Sequence, residues 1–402
     1  MQLNFFDPAV IANPFPYYDE LHRHGPVVRN DLMGAWMVAG HEAALSVLKR
    51  PEDFSSTGIT QMATDRVDAF GGAATMLNSD PPDHERLRGV VQRAFTPRAL
   101  ARLEPRIEEI VRDLLALVPD RESFDAVNEL TYPLPVIVIA ELLGVSPADR
   151  PFFKEWSDDL VNGINEQATF EDQRRSTEAA EALREYFRNE IAARRLQPTD
   201  DLIGSLVRAN EDDGALTDAE LLAACVILLV AGNETTTKFI GNAIVHLAEH
   251  PELRATVVAD PSKMGPCVEE LIRLVGSVQA TARVALVDTE IAGTPVSAGE
   301  MVFVMLAAAN RDKLIFANPT EVDLSRSPNP HLGFGFGIHV CLGAHLARLE
   351  SRTALKELLR LAPEYRLSAP AEELRYAPSF FLRGVEQLPI EPMANVAEIG
   401  RQ

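Results

Sequence analysis

The segment from Thr217 to His250 predicts one continuous helix, and this helix constrains the whole fold. Thr217 and Glu220 form a capping-box pattern at its start, and Pro251 follows its end. At 1.5 Å per residue such a helix is roughly 50 Å long, enough to run through an entire domain. Its central stretch, residues 221–232, has no charged face, so we expect it to be buried on every side. The other elements must then pack around it.

Most of the remaining chain also has apolar residues at helical spacing, most clearly in segments 98–118, 172–195 and 342–361. Strand-like segments are few and short. They are 27–29, 35–38, 283–286, 289–291, 301–305 and 388–390. We therefore expect a mainly α protein with small peripheral β-sheets. Because the 402 residues contain no linker, repeat or low-complexity block, residues 1–402 are predicted to form a single domain around a bulky cofactor.

The acidic balance of the chain argues against some classes of partner. Its formal net charge is −21, so we expect neither nucleic acid nor an anionic membrane as a general partner. The three cysteines, Cys225, Cys267 and Cys341, do not make a disulfide framework and suit a reducing compartment. The first residues lack the pattern of a signal peptide. We therefore expect a soluble, cytoplasmic protein.

Cys341 lies in a glycine-rich loop, residues 334–343, directly before the helical pattern of residues 344–361. Free backbone N–H groups and the positive end of a helix dipole favour a thiolate at such a place. The glycines allow the backbone to curl tightly and to approach a bound group closely. No second cysteine is near enough in sequence to suggest zinc or an iron–sulfur cluster. Haem iron is therefore the leading candidate for the partner of this sulfur.

The long helix carries polar residues where burial makes them costly. Gly232, Glu234 and Thr235 follow its apolar stretch, although a buried carboxylate needs a partner or a proton and a threonine hydroxyl can bond the i−4 carbonyl. One interpretation is a locally bent helix whose Glu234 reaches solvent or a salt bridge. The other is a groove that admits a diatomic ligand, with Glu234 and Thr235 as a proton-relay pair. Taken together with Cys341, the pattern favours the second interpretation.

Two further sets of residues are candidates for holding the cofactor site. Glu270 and Arg273 are spaced i,i+3 on one helix face and could clamp a neighbouring segment beneath the cofactor. Haem carries two propionates, and partly buried carboxylates need cations or hydrogen-bond donors. Four basic residues could supply them: His84, Arg88, Arg283 and His339. Any one of these four, taken alone, is more often a surface charge.

Taken in order, these residues resemble the cytochrome P450 superfamily, in particular its soluble bacterial members. Phe334, Gly337, Cys341 and Gly343 match the cysteine-loop signature of that family, with His339 at a propionate-binding position. The other matches are Ala231-Gly232-x-Glu234-Thr235 for the oxygen-activation motif, Glu270-x-x-Arg273 for the ExxR pair, and His84-x-x-x-Arg88 with Arg283 for the remaining propionate contacts. The similarity runs from about residue 7 to residue 392. One departure stands out, since many relatives have a proline where Ser277 or Val278 stands here.

The resemblance implies the cytochrome P450 fold, with haem b (iron protoporphyrin IX) between the long helix and the cysteine loop. It implies Cys341 as the axial ligand of the haem iron and Glu234 and Thr235 as the catalytic pair. Phe334, Gly343, His84, Arg88, Arg283 and His339 are implied as cofactor-binding residues, and Glu270 with Arg273 as a structural pair. The implied substrate pocket includes Ile227, Val230, Ala231, Val278 and Phe381, which suits a hydrophobic small molecule.

The resemblance also implies a reaction, the insertion of one oxygen atom from O2 into the substrate. The chain has no dinucleotide fingerprint and no four-cysteine set, so a separate ferredoxin or flavodoxin with its NAD(P)H reductase is expected to supply the electrons. Candidates for its docking face are Arg93, Arg98, Arg348 and Arg352. Two alternatives remain open. A peroxide-driven peroxygenase typically lacks the acid–alcohol pair, and a non-catalytic haem-thiolate sensor would not need the costly buried acid.

Overall fold

The structure is a computed structural model that describes residues 2–58, 68–95, 103–118, 121–164, 168–213 and 216–393. Helices make up 55% of it. The helices are α1 (Pro8–Ala12), α2 (Phe15–His24), α3 (His41–Leu48), α4 (Asp83–Ala94), α5 (Glu104–Leu114), α6 (Pro133–Leu143), α7 (Arg150–Ile164), α8 (Phe170–Leu196), α9 (Leu202–Asp213), α10 (Asp218–Glu249), α11 (Pro251–Ala259), α12 (Met264–Val275), α13 (Leu306–Ala309) and α14 (Ala344–Leu361). The strands are β1 (Val27–Asn30), β2 (Ala35–Val38), β3 (Phe54–Ser55), β4 (Phe124–Asp125), β5 (Thr281–Ala285), β6 (Thr289–Ile291), β7 (Thr294–Val296), β8 (Met301–Val304), β9 (Tyr365–Leu367) and β10 (Pro389–Pro392).

Helix α10 is the predicted long helix, and it begins with the predicted capping box. The Thr217 hydroxyl accepts a hydrogen bond from the Glu220 N–H, and the Glu220 carboxylate accepts one from the Thr217 N–H. Helices α6, α8, α12 and α14 all pack against it. By length and apolar composition it is the one helix in the described part of the chain that could cross a membrane. Because 61% of its apolar window is buried inside the protein, the arrangement is that of a core helix.

The two halves of α10 belong to different apolar clusters. Residues 221–229 pack with α8 and α9, whereas residues 239–247 pack with α5, α12 and α14. The intervening turn, residues 231–238, belongs to neither cluster. The polar motif of the long helix therefore lies at the junction between two parts of the core, where apolar packing leaves room for another group.

The sheets are small, as predicted. The largest has the strand order β1-β2-β8-β5-β3, in which only β2 and β8 run parallel. The strand order of the second is β4-β10-β9, and β6 with β7 form a hairpin. These features confirm the predicted fold class. Most predicted strands and helices agree with the structure to within a few residues, and residues 98–102 of the predicted helix 98–118 lie outside the described residues.

Candidate active site

The centre of α10 opens onto an internal space. Ala231 is exposed and Gly232 and Thr235 are half-buried, although the helix on either side is buried. The Thr235 hydroxyl donates a hydrogen bond to the Ala231 carbonyl, 3.0 Å away. The helix nevertheless runs through this turn without interruption, so the accessible face at Thr235 is not a break in the helix.

Glu234 has an ion-pair partner that the sequence analysis did not identify. Its carboxylate contacts the ammonium of Lys238, one turn further along the same helix, and both side chains are largely buried. The predicted salt bridge of the simpler interpretation is therefore present. It coexists with the open space at Thr235, so the two interpretations of this motif are compatible in the structure.

Two neighbouring elements hold the motif in place through hydrogen bonds. The buried Asn233 amide donates to the Ser157 hydroxyl of α7, 3.0 Å away. On the other side the Ser277 hydroxyl donates to the Thr235 carbonyl at 2.7 Å. The Ser277 hydroxyl thus ties the segment after α12 to the long helix.

The cysteine loop is a tight turn ahead of α14. The Cys341 N–H donates to the Phe334 carbonyl at 2.9 Å, which closes the loop. Position 337 requires glycine for two reasons. Its φ is +72°, and a Cβ there would lie 2.4 Å from the Leu48 carbonyl oxygen. Gly343 caps α14, and its N–H is bonded to the Cys341 sulfur. The backbone therefore presents the thiol at the helix N-terminus, as the sequence predicts.

Cys341 is exposed as a residue, while protein surrounds its thiol on most sides. Burial raises the pKa of its thiol above the ordinary value, and the Gly343 N–H and the charges of Arg88 and Arg348 offset this only in part. In the polypeptide alone, burial therefore opposes the expected thiolate. A coordinating metal ion deprotonates a thiol outright, so the thiolate depends on the metal.

Basic groups gather beside the cysteine loop with few anionic partners. The His84 and His339 rings lie 4.3 Å apart between centroids, and both nitrogens of the buried His84 lack a hydrogen-bond partner in the described structure. Burial, with the charges of Arg283, His84 and Arg88, lowers the pKa of His339 to about 3. Burial likewise lowers the pKa of Arg283 to about 10. These shifts show that positive charge is unfavourable here without a bound anion.

Both arginines of this group, Arg88 and Arg283, donate hydrogen bonds to backbone or hydroxyl oxygens. Arg88 donates to the Val340 carbonyl at 2.8 Å, and Arg283 donates to Ala282 and Thr281. Among the described residues neither forms an ion pair with a carboxylate, although Asp80 lies near enough to Arg283 to act on its charge. A ligand that carries two carboxylates, as haem does, fits this donor set, and the thiol of Cys341 fits its iron.

Glu270 and Arg273 form a buried pair that binds the segment 310–329. Arg273 donates to Glu270 and to the carbonyls of Asn310, Pro319 and Glu321. Glu270 also accepts hydrogen bonds from the Asp323 N–H, Arg326 and Asn329. Burial acts to raise the pKa of Glu270, but these hydrogen bonds and the Arg273 charge hold it below its ordinary value. The predicted clamp is thus present as a network.

The predicted pocket residues divide into two groups. Val278 and Phe381 lie on adjacent backbone segments, because Val278 bridges Leu382 and the Gln279 N–H donates to the Phe381 carbonyl. Ile227 instead lines a small cavity with Ala74, Met76 and Leu87. Val230 packs with the α8 and α9 cluster, and Ala231 faces the internal space. No described contact joins the two groups directly.

Two of the four cations predicted to form the docking face are paired within the chain. Arg348 binds Glu269, and Arg352 binds Glu104 at 3.0 Å. Arg93 is exposed, and Arg98 lies outside the described residues. This face is therefore less positive than the sequence alone predicts.

Sequence analysis missed several residues of the site. The i,i+4 spacing of Glu234 and Lys238 was a readable signal. No signal marked Ser277, or Ser56, whose hydroxyl lies 2.7 Å from His339 Nε2, because these contacts join residues far apart in the chain.

Comparisons with known proteins agree with this geometry. A family model described as Cytochrome P450 matches residues 8–260 and 264–373. The chain is 39% identical over 382 residues to a protein of Bacillus spizizenii named Cytochrome P450 109, covering 94% of this chain and 91% of that one. It is 36% identical to a vitamin D(3) 25-hydroxylase of Pseudonocardia autotrophica, covering 97% and 96%. The solved structure of CYP109Q5 from Chondromyces apiculatus superposes with a TM-score of 0.90 at 36% identity, covering 98% of this chain and 99% of that one.

Proposed function

The chain belongs to the cytochrome P450 family, and from this premise we propose that it inserts one oxygen atom of O2 into a hydrophobic small molecule by means of Cys341, Glu234 and Thr235. Monooxygenase activity and a haem cofactor are properties of the family to which it belongs. The haem type, the roles of single residues, the substrate class and the electron donor make up the proposal.

The basic groups around the cysteine loop would hold haem b. His84, Arg88, Arg283 and His339 would receive its two propionates, and Cys341 would bind its iron, with Phe334 and Gly343 shaping the loop. When bound, haem supplies the metal centre at which O2 is activated with two external electrons. The observation that carries this proposal is the Arg88 side chain, because its charge acts on Cys341 while its guanidinium binds the loop carbonyl of Val340.

Glu234 and Thr235 hold and move protons in this proposal. Thr235 lies at the open face of α10, where its hydroxyl can turn from the Ala231 carbonyl toward a bound oxygen ligand. Glu234 is adjacent and can exchange a proton with its polar surroundings by rotation or through water. The intact pair argues for O2-driven chemistry over a peroxygenase or a sensor, since neither alternative needs a buried acid here.

A hydrophobic substrate suits the predicted pocket residues. Val278, Phe381 and Ala231 carry no charged group, which favours apolar ligands. One relative is named for the hydroxylation of vitamin D(3), and this supports a substrate class of extended apolar molecules.

A separate ferredoxin or flavodoxin with its NAD(P)H reductase would deliver the electrons in the cytoplasm. The chain has three cysteines, of which Cys225 and Cys267 are buried, so it offers no four-cysteine set for an iron–sulfur cluster of its own. The burial of α10 supports a soluble protein.

The test compares three conditions on the haem-loaded protein. A panel of sterols, fatty acids and polar controls is first screened for shifts in the haem spectrum. Each binder is then incubated with a ferredoxin–reductase system and O2, with hydrogen peroxide alone, or with neither. We expect product only in the first condition. Product with peroxide alone would favour the peroxygenase, and binding without product in any condition would favour the sensor.

A further inference from the structure

Lys238 is an unusual residue in this chain. Of the 38 basic residues only six are lysines, which leaves 32 arginines. Among the lysines whose side chains the structure describes, Lys238 alone is buried, with a relative exposure of 7%. The others are exposed or half-exposed: Lys49, Lys263, Lys313 and Lys356. A buried cation is unfavourable unless it is paired, so its presence calls for an explanation from its contacts.

Those contacts lead directly to the oxygen-activation motif. The Lys238 ammonium binds Glu234 Oε1, and the two side chains are 9% and 13% exposed. Its aliphatic stem packs on the turn at Gly384, where a Cβ would lie 2.4 Å from Lys238 Cβ and Cγ. Arginine has a larger, forked head group, whereas the compact lysine fits between α10 and this turn.

The side chains near the pair are polar, and they are hydrogen-bonded to a residue that is closer to the surface. Tyr132, just before α6, is hydrogen-bonded to Asp158 of α7 and to Asn233. Burial and the charges of Asp158 and Glu234 raise the pKa of this tyrosine, so it stays a neutral hydroxyl. Asp158 is only half-buried. Asp158 and Tyr132 thus form a hydrogen-bonded pair close enough for the charge of Glu234 to act on Tyr132.

We propose that Lys238 is a positioning residue for proton delivery, whose ammonium holds the Glu234 carboxylate one helical turn beyond Thr235 until that pair opens. The proposal rests on the proton-relay role of Glu234 and Thr235. While the pair is closed, Glu234 is held toward Lys238. When it opens, the Glu234 carboxyl is free to pass a proton, taken up from the Asp158 and Tyr132 side, toward Thr235.

A double-mutant cycle tests this role in the haem-loaded enzyme with its redox partners. The measured quantity is product formed per NAD(P)H oxidised for wild type, Lys238→Met, Glu234→Gln and the double variant. We expect Lys238→Met to lower this ratio about threefold or more. The double variant should equal Glu234→Gln, since a residue that acts through Glu234 has no effect once Glu234 is lost.

A matched control separates this effect from a general loss of stability. Arg194 of α8 is likewise buried and paired with Glu190 at i−4. Its other hydrogen bonds go to Asp201 and to the Gly144 carbonyl, outside the motif. Arg194→Met should leave the ratio at the wild-type value. An equal drop in Arg194→Met would overturn the proposal.

A second measurement observes the pair itself. Lysine-selective 15N labelling yields signals from only six side chains, and the Lys238 signal is identified by its absence in Lys238→Arg. We expect the Lys238 ammonium to be protected from hydrogen exchange in wild type and in Arg194→Met, and to lose that protection in Glu234→Gln. Unchanged protection in Glu234→Gln would contradict the pairing.

The outcomes separate this proposal from the proposed function. If Glu234→Gln lowers the ratio but Lys238→Met does not, Lys238 has no positioning role and the proposed function stands. If Lys238→Met lowers the ratio equally with and without Glu234, its effect is structural and the proposal is wrong. A wild-type ratio in Glu234→Gln would overturn both, because Glu234 would then have no part in proton delivery.

Discussion

At the scale of single residues, the site consists of groups whose charged forms are disfavoured by burial in the polypeptide. Burial raises the pKa of the Cys341 thiol and lowers those of His84 and Arg283. The protein therefore holds a thiol and several basic groups close together, which costs free energy in the folded state. A bound anionic metal complex would offset that cost. Such a site is arranged for its cofactor and is less stable without it.

Replacing the sulfur tests the ligand assignment. We expect Cys341→Ser to lose the red-shifted Soret band of the reduced carbon-monoxide complex, because that band requires a thiolate ligand. Cys267→Ala, which removes a buried thiol elsewhere, should retain it. A retained band in Cys341→Ser would show that another residue binds the iron.

Removing the Thr235 hydroxyl tests proton handling. We expect Thr235→Ala to bind haem and substrate normally while product per NAD(P)H falls about tenfold or more and hydrogen peroxide rises. Thr236→Ala serves as the control, since Thr236 is its buried neighbour on the same helix. Equal ratios in both variants would remove Thr235 from the mechanism.

At the scale of elements, a single arginine joins α12 to the long irregular segment that leads to the cysteine loop. Arg273 is fully buried, lies over the Phe316 ring, and donates to three carbonyls as well as to Glu270. The segment 310–329 lacks regular hydrogen bonding of its own, so the position of the loop depends on this network.

We therefore expect Arg273→Met to lower the free energy of unfolding by roughly 3–5 kcal/mol, because it leaves the Glu270 carboxylate buried and partly unpaired. The measurement is urea unfolding of the holoprotein together with its yield. The exposed pair of Arg112 with Glu108 offers a control, and Arg112→Met should unfold near the wild-type midpoint. A folded, stable but slow Arg273→Met enzyme would contradict the structural role.

At the scale of the whole molecule, one buried acid makes stability depend on pH. Glu350 of α14 is fully enclosed between helices, its Oε2 has no hydrogen-bond partner in the described structure, and burial raises its pKa from 4.5 to about 8. The folded protein thus retains this proton at pH values where the unfolded chain has released it. Ionisation then favours the unfolded chain, so stability falls as pH rises from about 4.5 to 8.

We expect Glu350→Gln to remove this decline, which is on the order of 4 kcal/mol between pH 5 and pH 8. The measurement is the free energy of unfolding in urea at pH 5, 6.5 and 8. Ser351→Ala, at the adjacent buried position, should lower stability by a similar amount at every pH. Parallel curves for wild type and Glu350→Gln would show that Glu350 does not titrate in this range.

Periodicity and local chemistry made several features readable from the chain alone. The capping box at Thr217, the apolar length of α10 and the glycine loop before Cys341 are short-range signals, and the structure contains each of them. The strands that were missed, β3, β4, β7 and β9, have only two or three residues each, which is too few for an alternating pattern.

Only the tertiary structure determines which side chains contact each other across the site. It paired Glu234 with Lys238, set Ser277 against Thr235, paired Arg348 with Glu269, and raised the pKa of the Cys341 thiol by burial. Local pattern specifies which residues share a helix face, because helical geometry is repeated along the chain. Burial and charge depend on neighbours brought together from distant segments, so they exist only once the chain has folded.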